Sequence, residues 1–162
     1  MSGPRLPAEI RAFIAKGVST IVASRDAQLR PSIMRAVGSS VSADGSEVTV
    51  FLSRPQSRQL LQDIAAGGPV AAVFSQPTTH RTVQLKGTNA RLRNATQDDE
   101  PLLAGYLDAF THELTSVGYR AELPRAMLSH RLEEVVALTF QPEQAFDQTP
   151  GPKAGTRLEL EA

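Results

Sequence analysis

Six segments of this chain read as β-strands, and most are joined by turns too short to hold a crossover helix. VSTIVAS (18–24) and PSIMRAV (31–37) are separated by RDAQLR. SADGSE then places Asp44-Gly45, a hairpin signal, just before EVTVFLS (47–53). PVAAVFS (69–75) and RTVQLKGTNARL (81–92) are separated by QPTTH, and a last strand centres on 135–140. Parallel strands need a connection of a dozen or more residues, so such turns favour antiparallel pairing. The segment 81–92 alternates in polarity over much of its length, which suits a strand with one wet face. Gly87 inside it signals a bulge or a close backbone approach.

Helical spacing appears in three places. Ile10, Phe13 and Ile14 share one face of a short helix that Gly17 stops. Leu60, Leu61 and Ile64 face inward from a helix over 57–66, ended by Gly67-Gly68. The longest helix starts at Thr96, with Asp98, Asp99 and Glu100 in its first turn, and Gly118 stops it. Leu102, Leu103, Tyr106, Leu107, Phe110, Leu114 and Val117 form its apolar stripe. LPRAML adds a further helical turn. The expected fold is mainly β, an antiparallel β-barrel with helices packed outside it. One domain covers 1–147, and a polar Pro/Gly-rich tail covers 148–162.

Charge and composition exclude several classes. Lys and Arg total 17 and Asp and Glu total 17, without the basic excess of a nucleic-acid binder. The absence of cysteine removes disulfides, thiolate nucleophiles and Cys-ligated metals. His80, His112 and His130 are isolated, so no metal site is expected. No apolar run approaches a membrane span of about 18 residues, and residues 1–14 carry no secretory pattern. A cytoplasmic protein without membrane or nucleic-acid partners is the expectation. No Gly-x-Ser-x-Gly elbow, Walker loop or dinucleotide fingerprint occurs. No catalytic side chain is assigned, and any redox chemistry falls to a bound cofactor.

The most informative stretch is FLSRPQSRQL (51–60). Acids belong at a helix start, where the dipole is positive, yet this one offers Arg54, Ser57 and Arg58. Free backbone N–H groups, a hydroxyl and guanidinium groups suit a phosphate. Solvation of both arginines, or their pairing with acids elsewhere, is the competing explanation. In RPSIMR (30–35), Arg30, Ser32 and Met34 share one strand face while Ile33 and Arg35 share the other. Arg35 is either a second anion ligand or part of an exposed face. Thr82, Gln84 and Lys86 line one face of 81–92, suited to a planar heteroaromatic ligand or to water.

The order of these patches resembles the pyridoxamine 5′-phosphate oxidase-like flavoproteins, the FMN-binding split barrels. RPSIMRAV, the hairpin, VFLSRPQSRQLLQDI, PVAAVFS and RTVQLKGTNARL carry the likeness over 18–92. It implies a six-stranded antiparallel split β-barrel with flanking helices and FMN as cofactor. It also implies an oxidoreductase acting on a small molecule, as a homodimer with the flavin at the subunit interface. Ser57 and Arg58 would bind the phosphate, and Leu52 and Ser53 would contact the cofactor through backbone or hydroxyl. Met34 and Arg35 would lie near the phosphate or along the flavin, and Arg81 and Thr82 would approach it from the other subunit. Gln59 stands where the family pattern has a third, cationic residue. The chain has no Trp, whereas the oxidases carry a Trp and an Arg near the C-terminus that help form the active site; here the tail would cover the cofactor in its own way, through Lys153. A deazaflavin-dependent reductase and a non-catalytic flavin or haem binding module are the alternatives.

Overall fold

The structure, a computed structural model, describes residues 3–162. Met1 and Ser2, which open the stretch read above for a secretory signal, lie outside the described residues. In chain order the elements are α1 (Ala8–Ile14), β1 (Ser19–Arg25), β2 (Pro31–Arg35), β3 (Gly38–Val41), β4 (Val48–Ser53) and α2 (Arg58–Ala65). They continue with β5 (Val70–Ser75), β6 (Thr82–Gly87), β7 (Arg91–Asn94), α3 (Glu100–Ser116), α4 (Glu122–Met127), β8 (Val135–Phe140), β9 (Gln144–Asp147) and β10 (Thr156–Leu158).

The strands form two antiparallel sheets, ordered β10-β9-β6-β5-β1-β2 and β3-β4-β8-β7. This corrects the expected six-stranded barrel: neither sheet closes, because three predicted strand regions bend from one sheet into the other. At the first bend, Ala36 N donates to Thr20 O in the larger sheet, and Val37 N donates to Phe51 O in the smaller. The ladder partner thus changes between consecutive residues, and PSIMRAV is split into β2 and the lead-in to β3. At the second bend Gly87 ends β6, and the chain re-enters the smaller sheet as β7. A Cβ at Gly87 would lie 2.5 Å from Gln141 O and 2.8 Å from Phe140. Gln141 opens the third bend, between β8 and β9, so two backbones meet where only glycine fits.

The main core lies between the sheets, where Val22, Val50, Leu52, Phe74, Leu85, Leu138 and Phe140 are all buried. Ile10, Phe13 and Ile14 of α1 and Leu60, Leu61 and Ile64 of α2 join it. Leu103 of α3 packs on the other side of β4 with Val37, Phe51, Val135 and Ala137. β4 is therefore covered on both faces, which is why EVTVFLS reads as a nearly continuous apolar run. Val117, predicted inside the apolar stripe of the long helix, lies just beyond α3 and is 44% exposed. The tail reaches back into the sheet: Thr156, Arg157 and Leu158 pair with β9, and Glu161 bridges Arg5. No helix among the described residues is long and apolar enough to cross a membrane.

Thr96 caps a short 3-10 turn, Gln97–Asp99, ahead of α3. Arg93 of β7 grips the Asp99 carboxylate with both terminal guanidinium nitrogens, at 2.7 and 2.8 Å, and Thr96 N donates to it at 2.8 Å. The Arg93 bonds outweigh burial and lower the Asp99 pKa to about 2. A depressed folded-state pKa means stability that is full above the unfolded value near 3.8 and is lost as pH falls toward 2. Asp99→Asn is expected to cost about 2 kcal/mol at neutral pH. In urea unfolding, the gap between variant and parent should close between about pH 4 and pH 2. A gap of the same size at both ends of that range would show that the ion pair is not its source.

Candidate functional site

β4 ends at Ser53, and a tight turn delivers the chain to α2. Gln56 N donates to Ser53 O and Ser57 N to Arg54 O, each at 3.2 Å. The far side of the turn is tied by Arg54 N to Glu134 O at 2.8 Å. The Arg54 guanidinium donates to Asn94 Oδ1, so this cation is engaged across the surface. Ser57 is the N-cap residue of α2 and only 2% exposed. Its hydroxyl is buried without a hydrogen-bond partner and caps no backbone N–H.

Helix geometry leaves the N–H groups of the first turn without intrahelical acceptors. No acid lies in that turn. Arg58 is exposed and forms no ion pair among the described residues. The α2 start thus gathers free backbone donors, a hydroxyl and an uncommitted guanidinium. Gln59 turns forward along the helix, away from its start, and its Nε2 donates to Asp63 Oδ1 at 2.8 Å. The Leu52 side chain is fully buried in the main core, which leaves only its backbone for a ligand. Ser53 is buried at the end of β4.

Met34 and Arg35 point to opposite faces of β2, as neighbouring strand residues must. Met34 packs against the main core. Arg35 lies on the outer face of the larger sheet and donates to Ser19 Oγ at 2.6 Å. Strand register places Arg35, Ile21, Val73, Gln84, Phe146 and Arg157 in one row across all six strands. The adjacent row is Ile33, Ala23, Ala71, Lys86 and Gln144. Ile33 is 64% exposed. The Lys86 ammonium sits 4.9 Å from the centre of the Phe146 ring. α2 reaches this part of the sheet from the opposite face, where Ser32 Oγ donates to Asp63 Oδ2 at 2.6 Å. Thr82 stands at the start of β6, its Oγ1 sharing a 2.6 Å hydrogen bond with Ser75 Oγ.

Arg81 and Lys153 meet at a different place. Both line a cavity of about 530 Å³ between α1 and the 147–153 segment, with Glu9 and Asp147. Arg81 pairs with Glu9 at 2.7 Å and lies 4.8 Å from the centre of the Phe13 ring. Hydrogen bonds from Thr149 lower the Asp147 pKa, assisted by the charges of Arg81 and Lys153. The predicted ligands therefore fall into three groups in one protomer. Leu52, Ser53, Ser57, Arg58 and Gln59 cluster at the α2 start, Arg35 and Thr82 belong to the larger sheet, and Arg81 and Lys153 share the tail cavity. Met34 stands apart on the core side.

Two buried acids escaped the sequence reading. Glu113 on α3 accepts from Gln76 Nε2 at 2.9 Å and from Thr78 N and Oγ1 at 3.2 and 2.7 Å. Burial pushes its carboxyl up, but these bonds outweigh it and the net shift is downward. They fasten the β5–β6 turn, whose His80 adopts a φ of 61°. Asp63 is the other. A helical acid reads as surface unless its partners, here separated by four and 31 residues, are known.

No protein-family model matches the sequence, and no curated protein does. Solved structures do match. A candidate pyridoxamine 5′-phosphate oxidase from Lactobacillus delbrueckii superposes with a TM-score of 0.56 at 16% identity, over 88% of this chain and 93% of that one. An F420 reductase gives 0.55 at 13% identity, over 86% and 98%. A pyridoxamine 5′-phosphate oxidase-related, FMN-binding protein from Nostoc punctiforme gives 0.52 at 11% identity, over 91% and 87%. The fold is thus one that pyridoxamine 5′-phosphate oxidase-like and FMN-binding proteins share.

Proposed function

We propose that this chain is an FMN-binding flavoprotein, an oxidoreductase of a small molecule, that holds the cofactor phosphate at the start of α2. The observation that carries this reading is the buried, unpartnered Ser57 hydroxyl beside Arg58, at a helix start that contains no acid. A phosphate dianion would accept from the N–H groups of the first turn, from Arg58 and from the Ser57 hydroxyl. FMN, when bound, would supply the electron chemistry. The protein's part is to bind, orient and shield it. The fold shared with an FMN-binding protein supports the choice of cofactor.

A second copy of the chain is proposed to complete the site on the outer face of the larger sheet. The two rows beginning with Arg35 and Ile33 combine one exposed apolar side chain, Ile33, and the half-buried Ile21, Val73 and Phe146 with three cations, Arg35, Lys86 and Arg157, and contain no carboxylate. Two such faces repel each other until anions offset the charge. The α2 start and the Arg81–Lys153 cavity, separate within one protomer, would then belong to different subunits of one site.

The purified protein is expected to be yellow and to release FMN on denaturation, read by absorption and chromatography of the supernatant. A colourless preparation whose addition leaves FMN fluorescence unchanged would overturn the assignment. The F420 reductase of the same fold makes a deazaflavin the second ligand to try.

A further inference from the structure

Toward the far end of α2 lies a buried carboxylate with no ligand role in the proposal above. Asp63 is 5% exposed and forms no ion pair among the described residues. It sits near the C-terminal end of α2, where the helix dipole disfavours a negative charge. A buried carboxylate is also costly unless its oxygens are satisfied. Both are: Ser32 Oγ donates to Oδ2 at 2.6 Å and Gln59 Nε2 to Oδ1 at 2.8 Å. Ser32 belongs to β2, and Gln59 directly follows Arg58. One side chain therefore ties the first turn of α2 to the neighbouring strand.

We infer that Asp63 is a positioning residue for the anion cradle: by holding Gln59 and Ser32 it fixes the direction of the α2 start, and with it Ser57 and Arg58. The inference rests on the anion site proposed above. Asp63 lies about 8 Å along the helix from Arg58, at 1.5 Å per residue. At that distance in a water-like dielectric its repulsion of a phosphate dianion amounts to about sixfold in affinity. A cradle whose donors are misdirected loses more, because charge-assisted hydrogen bonds depend steeply on geometry.

These two effects separate two substitutions. In Asp63→Asn the Oδ1 accepts from Ser32, and the Nδ2 donates to a flipped Gln59 amide, so the tie survives without the charge. Asp63→Ala removes the tie. With FMN and riboflavin titrated in parallel, Asp63→Ala is expected to weaken FMN about tenfold while riboflavin stays within about twofold. Asp63→Asn is expected to match the parent or bind FMN up to about sixfold tighter. Equal losses for FMN and riboflavin would reduce Asp63 to a general structural role and overturn the inference, as would identical FMN affinities for the Asn and Ala variants. Should Asp63→Ala not fold, Ser32→Ala cuts only the link to β2, and an unchanged FMN-to-riboflavin ratio there overturns the inference too.

A flavin-free arm separates this inference from the choice of cofactor. Inorganic phosphate at constant ionic strength is expected to raise the melting temperature of the parent and not of Asp63→Ala. That result without FMN binding sustains the role of Asp63 and removes FMN as the ligand. A parent indifferent to phosphate removes the cradle and the inference together.

Discussion

Arg58→Ala is expected to weaken FMN binding ten- to a hundredfold and to leave riboflavin binding unchanged. Arg58 is exposed and makes no side-chain hydrogen bond or ion pair within the described residues, so its removal should barely affect folding. One charge-assisted hydrogen bond contributes roughly 1.5–3 kcal/mol, which sets the range. Riboflavin lacks the phosphate and isolates that contribution. Arg54→Ala serves as the control, because its guanidinium is already engaged by Asn94. Paired fluorescence titrations check the result. Equal losses from Arg54→Ala and Arg58→Ala would mean that general positive potential, and not a phosphate contact at Arg58, carries the binding.

The second large effect concerns assembly. Ile33 is 64% exposed in the protomer, so Ile33→Lys should fold with a melting temperature close to the parent's. In the proposed dimer the new ammonium would be buried against a face that already carries Arg35, Lys86 and Arg157. The dimer dissociation constant is expected to rise by more than about a hundredfold, with FMN affinity falling alongside it because the site loses its second wall. Sedimentation of parent and variant over a concentration series, with and without FMN, measures both quantities. An Ile33→Lys protein that remains dimeric would place the contact on another face.

What the sequence disclosed and concealed follows from the range of the interactions involved. The Asp44-Gly45 hairpin and the cationic start of α2 are local events, each marked by residues whose chemistry is unusual where they stand; the Gly87 contact is made with the distant Gln141, but a glycine inside a strand pattern announces it. The split of PSIMRAV is not local. Residues 36 and 37 are alanine and valine, with no turn residue to mark the bend, and the change of ladder partner appears only once Thr20 and Phe51 are in place. β10 was concealed for a related reason: three residues in a Pro/Gly-rich tail join the sheet by backbone pairing, which side-chain pattern does not encode. At the candidate site, the sequence supplied Ser57, Arg58 and the acid-free first turn. It gave no sign of Asp63, whose importance depends on Ser32 from a separate strand. It also gave no sign that Arg81 would be committed to Glu9 and Phe13. Alternation did reveal that Gln84 and Lys86 share a face, and the register adds that Ile21, Val73 and Phe146 share it too.

The central claim is that the start of α2 receives the phosphate of a flavin nucleotide. Calorimetric titration of FMN into flavin-free protein tests it most directly, repeated in a background of excess inorganic phosphate. One FMN per chain is expected, with an affinity that falls as phosphate competes for the cradle. No saturable heat with FMN, or an FMN affinity indifferent to phosphate, would contradict the account.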